Sequence, residues 1–174
     1  MVDASSREKA IKLAKSLSVN QRKTLLYLVP FVDIQMEIIA KVQPSYRVIA
    51  YRRFMVRVAE AIAKIDGASA LVTGESVGQV ASQTIENIAT IGSVTTMPIL
   101  RPLIATNKPE IIDQAKVIGT YDVSIQPDQD CCSLFVPSNP ATKSTSQKAE
   151  LYETGIDSED LVNKTVNNLE ILEF

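Results

Sequence analysis

The segment from Leu71 to Thr84, Leu-Val-Thr-Gly-Glu-Ser-Val-Gly-Gln-Val-Ala-Ser-Gln-Thr, constrains the fold more than any other part of the chain. An apolar run ends at Gly74, a short polar turn follows, and apolar residues then recur with helical spacing. A strand, a glycine turn and a helix in this order leave backbone N–H groups free beside the carboxyl edge of a sheet, where anions and nucleotides bind. An ordinary βα turn, in which glycine only supplies a positive φ, explains the pattern equally well. Neither G-x-G-x-x-G nor G-x-x-x-x-G-K-[ST] is present, so a Rossmann fingerprint and a Walker loop are excluded.

Short apolar runs alternate with amphipathic helical patterns along the rest of the chain. Strands are predicted at 24–29, 70–73 and 97–100, with a short extended segment at 121–125. Helices are predicted at 4–17, 31–43, 46–65, 77–88 and 107–118, and one or two more after 148. This order predicts an α/β fold with a mainly parallel sheet flanked by helices, and places ligands at the carboxyl ends of the strands. With three or four strands, the sheet is thin, which suggests an incomplete domain.

Composition limits the classes of function. The 174 residues suffice for one domain, residues 1–174, but not for two ordinary ones. The net charge of −2 gives no general argument for nucleic-acid binding, so contact with RNA would need a local basic patch or a partner chain. The chain has no histidine, which excludes a Ser-His-Asp or Cys-His pair and any histidine metal ligand within it. Without an apolar run of membrane-spanning length or a signal peptide, the expected location is the cytoplasm, with no membrane contact.

Four arginines, Arg47, Arg52, Arg53 and Arg57, fall at the start of the predicted helix 46–65. Arg53 and Arg57 share one face of that helix, whereas Arg52 points elsewhere. Such a cluster can bind phosphates or RNA through bidentate hydrogen bonds. The alternative is a charged helix face that is simply solvated.

Residues 126–148 are rich in Pro, Ser, Thr, Asp and Asn, and predict a long irregular loop that contains the two cysteines, Cys131 and Cys132. Adjacent cysteines rarely form a disulfide with each other, and two thiols cannot complete a structural zinc site, so no metal site is predicted. A buried cysteine is usually a small apolar residue, but this polar loop favours sulfur relay by a thiolate or persulfide. Activation would have to come from Lys143, a nearby arginine or a substrate phosphate.

Several blocks, in order along nearly the whole chain, resemble the catalytic domain of the ThiI family of tRNA sulfurtransferases. The blocks are Leu28-Val-Pro-Phe31 with Ile34-Gln35, Arg52-Arg-Phe-Met-Val-Arg57, the segment from Thr73 to Thr84, Leu100-Arg-Pro-Leu103, Ile118-Gly-Thr-Tyr-Asp122 and Asp130-Cys-Cys132. The segment from Thr73 to Thr84 is the most specific of them.

The resemblance implies the adenine nucleotide alpha-hydrolase-like fold of the PP-loop ATP pyrophosphatases. The family uses ATP, expected with Mg²⁺, to adenylate a uridine of tRNA. Sulfur from a cysteine desulfurase or another persulfide donor then displaces AMP and gives 4-thiouridine. The same proteins are linked to sulfur supply for the thiazole of thiamine.

The resemblance also implies roles for individual residues. The adenylate-contacting positions of the family fall on Arg52, Gly74 and Gln83. Its sulfur-handling cysteine falls on Cys132 when counted from Ser124-Ile125, and Cys131 stays an alternative. These residues suit the roles, since an arginine can neutralise phosphate charge, a glycine admits close approach and a glutamine amide can hydrogen-bond a base.

One departure from the family pattern is important. The pyrophosphate loop Ser-Gly-Gly-x-Asp-Ser, the first βα unit, the N-terminal RNA-binding THUMP domain and the rhodanese domain of some members are absent from this sequence. We therefore expect half of a split enzyme, whose partner chain contains the THUMP domain and the PP-loop, with little activity of this chain alone.

Several alternatives are left open. The chain could be a truncated domain, a non-catalytic remnant that acts in binding or assembly, or a PP-loop enzyme with a different nucleophile. A homodimer, and an iron–sulfur cluster held by pooled thiols, are open as well.

Overall fold

The computed structural model describes residues 4–19, 21, 23–127 and 139–174, and shows an α/β fold. Its elements are α1 (Ala4–Ser18), β1 (Leu25–Leu28), α2 (Val32–Lys41), α3 (Arg47–Asp66), β2 (Leu71–Val72), α4 (Ile85–Gly92), β3 (Ile99–Leu100), α5 (Lys108–Val117), α6 (Tyr121–Ser124), α7 (Ser146–Glu153), α8 (Ser158–Asn167) and β4 (Glu170–Glu173). Single 3₁₀ turns occur at Pro44–Tyr46 and Ala81–Gln83. The predicted α/β class, with helices flanking small sheets, is confirmed. The described strands form one antiparallel and one parallel pair.

The described residues group into two compact units. The smaller one comprises residues 4–29, 106–127 and 169–174, and the larger one comprises residues 30–105 and 139–168. No helix in the described ranges combines the length and the apolar character needed to cross a membrane.

In the smaller unit, β1 pairs antiparallel with β4, with Leu26 opposite Leu172. The strand predicted at 24–29 is confirmed, whereas β4 was not predicted, because its glutamates at both ends hide the short apolar centre. The prediction of an extended segment at 121–125 is wrong. Those residues form the helical turn α6, in which the N–H of Ser124 donates to the carbonyl of Thr120 at 2.9 Å.

In the larger unit, α2, α4 and α8 pack around the twenty-residue helix α3. The helix ends at Gly67, which has φ of 71° and is its C-terminal glycine. Among apolar residues that share one face by helical spacing, Phe54 and Val58 are buried, but Ile65 is 72% exposed. The buried face is therefore shifted toward the start of the helix, where Ile49 and Tyr51 are almost fully buried.

The strands β2 and β3 form the parallel pair, with Leu71 opposite Ile99 and Val72 opposite Leu100. The N–H groups of Leu71 and Thr73 donate to the carbonyls of Pro98 and Leu100. Since successive side chains alternate between the faces of a strand, Val72 and Leu100 share one face. They are 67% and 55% exposed, so this face of the pair is uncovered in the described part of the chain.

Candidate functional site

The segment after β2 differs from the predicted strand–turn–helix. Residues 73–80 form an irregular loop, Ala81–Gln83 form a 3₁₀ turn, and α4 begins only at Ile85. Thr84 is the N-cap of α4, and its Oγ1 accepts a hydrogen bond from the N–H of Asn87 at 3.2 Å. The prediction of a helix from Val77 is wrong, because Val80 is fully extended and its side chain is 56% exposed. The helical spacing of Val77 and Val80 with the later apolar residues was coincidental.

The glycine with a positive φ in this loop is Gly78, at 81°, and not Gly74. A Cβ added at Gly74 would meet nothing within 4 Å among the described atoms. The interpretation of Gly74 as a turn glycine with positive φ is therefore wrong. Its assignment to close approach of a nucleotide stays a prediction.

A buried carboxylate organises the start of the loop. Glu75 is 4% exposed, and each of its oxygens is paired with an arginine. Arg52 Nη2, from α3, lies 2.5 Å from Oε1, and Arg101 Nε, directly after β3, lies 2.7 Å from Oε2. Thr73 Oγ1 donates to Oε2 at 3.0 Å, and Arg52 Nη1 donates to Ser82 Oγ at 3.1 Å. We call these five side chains the Glu75 cluster. Because β2 and β3 are parallel, Thr73, Glu75 and Arg101 come together at the carboxyl ends of these strands. Ligand binding at this position stays a prediction.

The other arginines of the predicted basic cluster have separate structural partners. Arg53 is 1% exposed and donates to both oxygens of Glu153 at 2.7 and 3.3 Å. Arg57 Nη2 donates to the same carboxylate at 2.6 Å. Arg47 donates to main-chain carbonyls of α2 and the residue that follows it. The four arginines therefore form neither one phosphate-binding surface nor a solvated face.

Residues 141–144, which lie within the predicted loop 126–148, are linked through Asn87 of α4 to the turn that contains Gln83. Asn87 is fully buried, and its Nδ2 donates to the carbonyls of Ala81 and Ala141, both at 2.8 Å. Its Oδ1 accepts from the N–H of Ser144 at 3.0 Å. Thr84 Oγ1 adds a hydrogen bond to the carbonyl of Thr142 at 2.7 Å. We call this set of contacts the Asn87 clamp.

Gln83 lies in the 3₁₀ turn, where its carbonyl accepts from the N–H of Gly78 at 2.9 Å. Its side-chain Oε1 is buried and has no hydrogen-bond partner among the described residues. A buried acceptor of this kind is costly unless a donor reaches it, which favours a ligand donor here. Cys131 and Cys132 lie outside the described residues, so their predicted role is not tested by the structure.

A cavity of about 240 Å³ adjoins the Glu75 cluster. It is lined by apolar side chains of α3 and of the inner face of β2 and β3, with Arg52, Glu75 and Arg101 at its rim. Within the described ranges, no group of three or more acidic or thiol side chains could hold a metal ion. Since Mg²⁺ at nucleotide sites is usually bound by one or two carboxylates together with substrate phosphates, the expected Mg²⁺ stays a prediction.

Sequence reasoning missed Glu75, Arg101, Asn87 and Glu153. Two of them left a recognisable signal, since Glu75 and Arg101 are charged residues that follow short apolar strands. Asn87 and Glu153 lie inside amphipathic helices, where a polar residue normally indicates the solvent side.

Comparisons with known proteins identify the family of this chain. The family model described as thiamine biosynthesis protein (ThiI) matches residues 1–157. The chain belongs to the ThiI family. It is 44% identical, over its whole length, to a probable tRNA sulfurtransferase of Thermus thermophilus, and 47% identical over 96% of its length to one of Acetivibrio thermocellus. In each case it spans 43% of the relative's length.

A solved structure resembles this member of the ThiI family closely. It is a crystal structure of a 4-thiouridine synthetase–RNA complex with bound ATP, with a TM-score of 0.93 and 39% identity. The match covers 99% of this chain and 46% of that one. The fold is thus that of one part of a 4-thiouridine synthetase.

Proposed function

We propose that this chain is a component of a tRNA sulfurtransferase that forms 4-thiouridine, and that it supplies the adenylate contacts. The observation that supports this most is the Glu75 cluster, in which Arg52 is hydrogen-bonded to Glu75 and to Ser82, the neighbour of Gln83 in the sequence, in a ThiI-family chain. ATP is the expected cosubstrate and tRNA the expected acceptor, as the ligands of the similar synthetase suggest.

Three residues would contact the nucleotide. Arg52 is 20% exposed at its side chain and brings a permanent positive charge to the rim of the loop, where it can pair with phosphate. Gln83 offers a buried acceptor without a partner in the described structure, which suits a donor such as an exocyclic amine. Gly74 is exposed and has open space around its Cα, so that a ligand can approach its backbone.

The proposed reaction has three steps. In the first, the uridine C4 oxygen attacks the α-phosphorus of ATP, and pyrophosphate leaves. In the second, the terminal sulfur of a cysteine persulfide attacks C4, and AMP leaves with the former uridine oxygen. In the third, a second thiol attacks the cysteine sulfur of the C4–S–S–cysteine adduct, which releases 4-thiouridine and leaves a disulfide that an external thiol reduces. Cys132, with Cys131 as the alternative, would receive and pass on the sulfur, and the same sulfur route would serve thiamine synthesis.

The remainder of the catalytic site is expected on another polypeptide segment, a partner that contains the PP-loop and the THUMP domain. Two features of β2 support this. Its N–H and carbonyl groups that do not face β3 point to the opposite edge, and Val72 and Leu100 leave an apolar face uncovered. Parallel sheets are usually buried on both faces, so that a strand and a helix from the partner fit this position. A cysteine desulfurase or another persulfide donor completes the expected set of partners.

The test reconstitutes the chain with the partner, tRNA, ATP, a persulfide donor and a thiol reductant, and measures pyrophosphate release and 4-thiouridine formation separately. We expect Arg52→Met to reduce both, and Cys132→Ser to abolish 4-thiouridine while the uridine is still adenylated. Cys131→Ser is the matched control, and it would exchange roles with Cys132→Ser if Cys131 is the acceptor.

Two results would contradict the proposal. Loss of neither product in either cysteine variant would exclude the relay, and robust thiolation by the isolated chain would exclude the divided site. Absence of any reaction with all components present would favour a non-catalytic binding or assembly role.

A further inference from the structure

The Glu75 cluster contains two arginines, Arg52 and Arg101, but only one carboxylate, so the positive charges outnumber the negative charge. A carboxylate with 4% exposure is stable only when it is paired, and here each oxygen is paired with a different guanidinium. The two arginines carry two positive charges and Glu75 one negative charge, so the cluster keeps a net charge of +1. It can therefore neutralise its own buried carboxylate and still attract an anion.

Arg52 is held at two of its nitrogens, and its orientation is consequently fixed. Nη2 donates to Glu75 Oε1 at 2.5 Å and Nη1 donates to Ser82 Oγ at 3.1 Å. Ser82 belongs to the same 3₁₀ turn as Gln83, and Glu75 belongs to the preceding loop. Hydrogen bonds therefore hold the guanidinium of Arg52 to both segments. A planar guanidinium with two fixed donors cannot rotate without breaking one of these hydrogen bonds.

Arg101 limits the freedom of Glu75 in turn. Its Nε donates to Oε2 at 2.7 Å, and its Nη1 reaches the carbonyl of Ile99 at 3.4 Å. Its Nη2 packs on α4 at Gly92, where an added Cβ would come within 3.2 Å of it. The carboxylate is thus held from the β3 side, while Thr73 Oγ1 holds the same oxygen from the β2 side.

We propose that Glu75 is a positioning residue for nucleotide binding: it holds the guanidinium of Arg52 in its binding orientation, with Arg101 as the fixed support on the other carboxylate oxygen. The inference rests on the proposed adenylate role of Arg52. Glu75 itself would not touch the nucleotide. Its effect on binding passes through Arg52.

The first experiment measures directly, in the absence of nucleotide, whether the guanidinium of Arg52 is held in place. NMR of the arginine side chains of the chain reports whether rotation about the Cζ–N bonds of Arg52 is hindered. We expect hindered rotation in the native chain and free rotation in Glu75→Gln. Unchanged hindered rotation in Glu75→Gln would overturn the proposal.

The second experiment measures AMP binding to the same variants by calorimetry. Glu75→Gln and Arg52→Met should each weaken AMP binding by about tenfold, the value of one charge-assisted hydrogen bond, and the double variant should be no weaker than Arg52→Met. Additive losses would contradict action through Arg52.

The matched control is Glu153→Gln, which removes the other buried carboxylate that pairs two arginines. It should lower thermal stability as much as Glu75→Gln while AMP binding and the Arg52 signals stay unchanged. A parallel loss of AMP affinity in Glu153→Gln would show that Glu75 acts only through stability.

If Glu75→Gln does not fold, Glu75→Asp replaces it, because it keeps the charge and shortens the reach. Glu75→Asp should make rotation of the Arg52 guanidinium partly free and should weaken AMP binding less than Arg52→Met does. Native rotation of Arg52 together with native AMP affinity in Glu75→Asp would overturn the proposal. Failure of the native chain to bind AMP would contradict the proposed function, whereas the NMR signals of Arg52 decide the restraint independently.

Discussion

At the scale of single residues, the buried ion pairs show why charge in a sequence is hard to assign. The sequence allowed either phosphate binding or a solvated face for Arg53 and Arg57, yet both pair with Glu153, which lies a hundred positions from Arg53. Nothing local to the helix indicates such a distant partner. The burial of a charge is decided by the fold as a whole.

The first prediction concerns Arg53→Met. It leaves Glu153 buried with Arg57 alone, and we expect the free energy of unfolding to fall by about 3–5 kcal/mol, as for other broken buried pairs. Urea unfolding followed by circular dichroism measures this. The control is Lys41→Met, which breaks the half-exposed pair with Glu37 and should cost less than about 1 kcal/mol. Equal effects of the two changes would mean that the Arg53–Glu153 pair adds nothing beyond a surface contact.

The second prediction separates two glycines of one loop. Gly78 has φ of 81°, so Gly78→Ala should lower the free energy of unfolding by about 1–2 kcal/mol through backbone strain. Gly74 lacks a positive φ and has free space around it, so Gly74→Ala should change stability by less than about 0.5 kcal/mol. Thermal or urea unfolding of both variants decides the matter, and a reversed order would contradict the backbone assignment.

At the scale of elements, the helices with an uninterrupted apolar stripe and a clear end signal were predictable. At α5 the end signal is the capping pair of Asn107 and Glu110, and at α3 it is the terminal Gly67. The failures, at 77–83 and 121–125, involve stretches of a few residues where hydrophobic period alone cannot distinguish helix, turn and strand. The candidate site was predictable only in part, since the sequence indicated Arg52 and Gln83 but not the carboxylate between Arg52 and Arg101.

The third prediction concerns α8, where Lys164 Nζ lies 2.6 Å from Asp160 Oδ2. The hydrogen bond to Asp160 raises the pKa of Lys164, and the negative charge of that aspartate acts in the same direction. A lysine whose pKa is higher in the folded state stabilises the fold below its unfolded pKa of about 10.4 and loses this contribution as pH rises through the folded pKa.

Asp160→Asn should therefore lower the pKa of Lys164, which an NMR titration of its side chain measures. Glu37→Gln, which removes the partner of another helical lysine, should leave that titration unchanged. An unaltered pKa of Lys164 in Asp160→Asn would show that the pair does not persist in solution.

At the scale of the whole molecule, the described residues divide into two units with their own strand pairs. The pairing of β1 with β4 joins positions near the two ends of the chain, Leu25 with Glu173 among them. Such a contact has no local signature, and this explains why β4 was not predicted. Each unit can be expected to have its own stability.

The fourth prediction follows from this division. A chain that ends at Asn168 lacks β4, and the hydrogen bonds between β1 and β4 are lost with it. Amide hydrogen exchange should then become fast at Leu26, which lies in a hydrogen-bonded pair with Leu172, while the amides of Phe54 and Ile38 in the larger unit keep their protection. Uniform loss of protection in both units would show that they unfold as one.

The Asn87 clamp bears on which substitutions a lineage can accept. Asn87 hydrogen-bonds residues 141–144 through main-chain groups, the carbonyl of Ala141 and the N–H of Ser144. It thus recognises the course of the main chain and is indifferent to the side chains at 141 and 142. Substitutions at positions 141 and 142 are therefore compatible with an unchanged backbone. Asn87 itself is not replaceable in this way, because no other side chain of the same length offers two amide donors and one acceptor.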